Sequence, residues 1–104
     1  MSFDINKVIT EMKNAAVSSL KNELQKVPPY LKVIFENEKN ALKALAEARL
    51  KGEISDKEFK NELEREKKVL EAEMLTFKII TKAAAQKAIN AAINILVDAV
   101  KIAI

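Results

Sequence analysis

Glu58, Glu62 and Glu66 recur at steps of four, a spacing that stacks carboxylates on one helical face and could offer oxygen ligands to a divalent cation. Helical carboxylate centres combine such residues with a Glu-x-x-His pattern, and the chain contains no histidine. The three glutamates are therefore read as a solvated charged face, with neither metal nor cofactor expected. Ser18, Ser19 and Ser55 would need a neighbouring base to act as nucleophiles, and the sequence supplies no imidazole; cysteine is absent too. No catalytic residue is assigned, and the chain is expected not to be an enzyme.

Arg65, Lys67 and Lys68 could touch phosphate, but Glu64 and Glu66 are interleaved with them and no Gly-rich loop or aromatic–basic alternation accompanies them. Pairing with local acids explains this cluster, so nucleic acid ranks third among possible partners. Phe3, Tyr30, Phe35, Phe59 and Phe77 read as core or interface anchors near helix ends.

The elements that must position these groups are helical. Hydrophobic residues make up 49% of the 104 positions, with one Gly and two Pro, which excludes a disordered chain and leaves too few turns for strands. The length corresponds to one domain, 1–104, and no cysteine is present to staple it. The first residues lack a basic start and an unbroken apolar run, so a cytoplasmic location is expected, with the peripheral membrane as the alternative. No window of eighteen uncharged apolar residues predicts a spanning helix. The net charge of +3 resides in residues 77–104, which hold four basic and one acidic side chain.

A first helix over about 4–26 opens at Ser2 or Asp4 and places Ile5, Val8, Ile9, Met12, Ala16, Leu20 and Leu24 on one face. Pro28 and Pro29 separate it from a second, about 29–51, which Gly52 ends as a left-handed C-cap. Ser55 and Glu58 form a capping box, with Ile54 and Phe59 as its hydrophobic staple, and the short turn makes the flanking helices antiparallel neighbours. From Asp56 onward no Gly or Pro occurs, so one helix over 56–104 is expected, roughly 74 Å long at about 1.5 Å per residue. Its seam runs through Phe59, Leu63, Leu70 and Phe77, with Glu66 as a polar gap, and Asp56/Lys60 and Glu64/Lys68 are expected ion pairs.

The fold expected from these lengths is all-α: a long antiparallel helical hairpin, one arm broken at Pro28-Pro29, forming a bundle by self-association. The alternative is a compact four-helix bundle with a break near Thr81, whose hydroxyl would cap the last helix.

Along 77–104, Lys78, Lys82, Gln86, Asn90, Asn94, Asp98 and Lys101 form one narrow polar stripe, leaving roughly two-thirds of the circumference apolar, more than one neighbouring helix can cover. The leading expectation is a structural or protein-interaction module. It would form a homo-oligomer, a dimer first, through Phe77, Ala84, Ala88, Ala91, Ile95 and Ile102, and could present the charged tip 47–68 to another protein. The alternative is a peripheral or membrane-active protein using 77–104, with Lys78, Lys82, Lys87 and Lys101 reaching toward anionic headgroups.

Overall fold

In the computed structural model, residues 4–19, 28–76 and 81–104 are described. They form α1 (Ile5–Ser19), α2 (Pro28–Leu50), α3 (Asp56–Leu75) and α4 (Lys82–Ala103). The expected extension of the first helix through Leu20 and Leu24 to Lys26 lies outside these residues.

Local chemistry sets each end. Asp4 Oδ1 accepts from the amides of Asn6 at 3.0 Å and Lys7 at 3.4 Å, capping α1. At the start of α2, Pro28 and Pro29 lack amide hydrogens that would have had no partner there. Its other end closes with the amide of Gly52 donating to the Arg49 carbonyl and that of Glu53 to the Ala48 carbonyl, the paired bonds of a Schellman turn. Gly52 has φ +75°, a left-handed conformation that penalises any β-carbon. Three residues on, Ser55 Oγ accepts from the Glu58 amide at 3.1 Å while Glu58 Oε1 accepts from the Ser55 amide at 3.2 Å.

The long hairpin is not what forms. Residues 56–104 are two helices: α3 stops at Leu75, and Thr81 caps α4 by accepting the Ala84 amide at 3.1 Å. A single helix over that span would far exceed the 39 Å longest dimension of the molecule. Gln86 near the start of α4 donates to Glu71 near the end of α3, so the two run antiparallel. The chain adopts the alternative architecture, a compact four-helix bundle with a radius of gyration of 13.3 Å.

The reason is the apolar excess of α4. Ala85, Ala88, Ala92 and Leu96 are wholly buried, with Ile89, Ile93 and Val100 nearly so. They meet Met12 and Ala16 of α1, Ile34, Phe35 and Leu42 of α2, and Phe59, Leu63 and Leu70 of α3 in one core. Helix α1 packs most extensively on α4, and α2 and α3 also contact it. The cover that the sequence assigns to a second copy thus comes from within the chain, and the alanines let neighbouring helices approach closely.

The tip turn gives a direct check. Gly52→Ala is expected to lower stability by about 1 kcal/mol, and Ser55→Ala by about 0.5–2 kcal/mol. Both should appear as lowered urea midpoints with unchanged slopes, whereas unchanged midpoints in both would refute the left-handed cap and the capping box.

Candidate functional site

Two places concentrate functional groups: the outer face of α4 with the bundle end it reaches, and a carboxylate cluster between α2 and α3.

On α4, Lys82, Gln86, Asn90, Asn94, Asp98 and Lys101 are exposed, so the stripe read from the sequence is the outer face of the helix; Lys78 lies outside the described residues. Lys87 and Ala83 are exposed beside it. The face therefore carries Lys82, Lys87 and Lys101 against Asp98 as its one acid. At its end, Ile102 and Ile104 are 69% and 68% exposed, more than any other large apolar side chain among the described residues.

The same end holds an open groove of about 490 Å³, where the end of α2 and start of α3 meet the last turns of α4. Phe59, Val97 and Val100 line it with apolar surface, and Arg49, Lys60 and Lys101 alternate with Asp56 and Asp98. Asp56 receives Lys60 at 3.1 Å and, more loosely, Arg49 at 3.9 Å. Exposed pairs of this kind contribute little to stability, and with Arg49, Lys60 and Lys101 against Asp56 and Asp98 the lining carries one surplus positive charge.

The expected association residues do not share one surface. Ala84 and Ala88 are buried in the core, Ala91 and Ile95 are half-buried, Ile102 is exposed, and Phe77 lies outside the described residues. Gly52, Ser55 and Glu58 hold the capping positions expected of them.

Of the acidic ladder, Glu58 is used as a cap, whereas Glu62 and Glu66 are half-buried. Glu66 faces Glu38 of α2, and Glu38 also reaches Glu73, two turns further along α3. Burial, reinforced by Glu38, raises the Glu66 carboxyl above the ordinary glutamate range and raises Glu73 to about 7. Among the described residues no group of three or more acidic, histidine or cysteine side chains is arranged to hold a metal ion. Sequence reasoning missed Glu38 and Glu73; the signal that could have found them was Glu66, the polar interruption of an apolar seam.

Two members of the basic cluster are paired locally: Arg65 contacts Glu62 at 3.3 Å and Lys67 contacts Glu64 at 2.9 Å. Glu64 thus takes the residue three positions on, where the sequence pointed to Lys68. No protein-family model matches this chain, and comparison with curated proteins and with solved structures gave no match. Function must rest on the molecule's own surfaces. They belong to a small all-helical domain without a catalytic motif, and no described helix is long and apolar enough to cross a membrane.

Proposed function

We propose that this bundle is a non-catalytic peripheral protein that docks on an anionic lipid surface through the outer face and end of α4. The observation carrying this reading is the exposure of Ile102 and Ile104 beside Lys101, on a helix whose outer face also bears Lys82 and Lys87. Near an anionic bilayer each such lysine contributes on the order of 1 kcal/mol, and the two isoleucines add apolar area at headgroup depth. Neither contribution anchors the protein alone, so binding is expected to be reversible and sensitive to salt.

The test is co-sedimentation with phosphatidylserine-rich vesicles at low and high salt, with phosphatidylcholine vesicles as control. Anionic vesicles should carry the protein down at low salt and release it at high salt, and the triple variant Lys82→Glu, Lys87→Glu, Lys101→Glu should stay in solution while retaining its helical spectrum. Absence of the unaltered protein from the anionic pellet at low salt would overturn the reading.

A second reading is self-association, supported by the exposure of Val33 at 53% and Val69 at 42%, together with Ile102. Light scattering without lipid separates the two: a stable dimer that ignores vesicles favours the second, a monomer that binds them the first. A protein partner at the charged tip 47–68 would belong to this second class.

A further inference from the structure

The carboxylate cluster between α2 and α3 is independent of lipid docking. Glu66 and Glu73 lie seven residues apart, two turns along one face of α3, and Glu38 on α2 reaches both. Glu62, one turn before Glu66, adds a further negative charge. All four side chains are half-buried, and Glu66 Oε2 is sealed from solvent with no hydrogen-bond partner among the described residues.

Ionised carboxylates only accept hydrogen bonds, so two of them in contact repel and leave their oxygens unsatisfied. A proton placed between them converts that repulsion into a hydrogen bond. We propose that Glu73, beside Glu66, holds a proton that it donates toward Glu38 and so fastens α3 to α2, making the bundle tightest in mildly acidic medium and looser as pH rises through neutrality.

The groups surrounding the cluster agree with this. From α2 it meets Glu38, along α3 it meets Glu62, and no titratable group of α1 or α4 among the described residues contributes to the shift of either Glu66 or Glu73. Glu73, with an ordinary value of 4.5, is raised to about 7 by burial first and by Glu38 second. The folded state therefore binds more protons than the unfolded state between those values, and stability must fall as pH rises through that interval. The contribution is complete below the unfolded value and gone above the folded one. This is opposite in sign to a glutamate held ionised by a salt bridge.

Side-chain carboxyl NMR across pH 4 to 9 tests the proposal, paired with thermal melts of the unaltered chain and of Glu73→Gln and Glu38→Gln. Gln mimics the protonated acid and keeps its shape. Glu73 should titrate near pH 7, the melting temperature of the unaltered chain should fall as pH rises through that value, and Glu73→Gln should flatten the fall and melt higher at pH 8. Glu38→Gln should move the Glu73 midpoint downward. A Glu73 midpoint in the ordinary glutamate range would overturn the proposal, as would a melting profile that Glu73→Gln leaves unchanged. If a variant fails to fold, the carboxyl titration of the unaltered chain still decides.

Discussion

Ile93→Asp is expected to abolish the cooperative unfolding transition, while Ile102→Asp leaves it in place. Ile93 is 2% exposed in the core of α4 and Ile102 is 69% exposed near its end. An unpaired carboxylate at position 93 loses hydration with nothing to replace it, a penalty of at least about 3–5 kcal/mol if it stays ionised. A domain of this size has a total stability of about 5–15 kcal/mol, and its smallness places it toward the low end. Position 102 keeps its water, so a change there should fall within about 0.5 kcal/mol. Circular dichroism in urea reads both variants. Equal destabilisation would contradict the burial pattern, which places Ile93 in the core and Ile102 at the surface.

Phe35→Ala should lower stability by about 3–5 kcal/mol, through lost transfer free energy and the cavity left behind. Phe35 is 1% exposed and shares the core with Phe59 and the α4 residues, so its truncation leaves a gap inside the bundle. Phe35→Leu keeps more of the volume and should recover a large part of the loss. A destabilisation below about 1 kcal/mol for the alanine variant would show that α2 does not seal the core at this point.

How much of this was readable beforehand differs by element. The cap at Gly52 and the Ser55/Glu58 box were legible because the chemistry is local: a residue tolerating positive φ, then a hydroxyl and a carboxylate three positions apart. The polar stripe of α4 was legible from periodicity, and so was the conclusion that one neighbour could not cover the rest. What supplies the cover was not. That depends on whether α4 packs back along α3, and between the two the sequence has neither Gly nor Pro to mark a break, while Thr81 supplies only one capping bond. A weak local stop was reinforced by the free energy of surrounding α4 with three helices. The carboxylate cluster was half visible. Glu66 stood out as a gap in the seam, but its meeting with Glu38 depends on the register of α2 against α3, which no single helix encodes.

Since the chain has no cysteine, one introduced thiol can carry an environment-sensitive fluorophore to a chosen position. A label at Ile102→Cys is the most direct probe of docking through the end of α4. On addition of phosphatidylserine-rich vesicles at low salt its emission should shift to the blue and intensify. A label at Glu36→Cys, exposed on α2, should stay unchanged. No shift at position 102 would contradict lipid docking through this end, and equal shifts at both positions would contradict docking as an intact bundle.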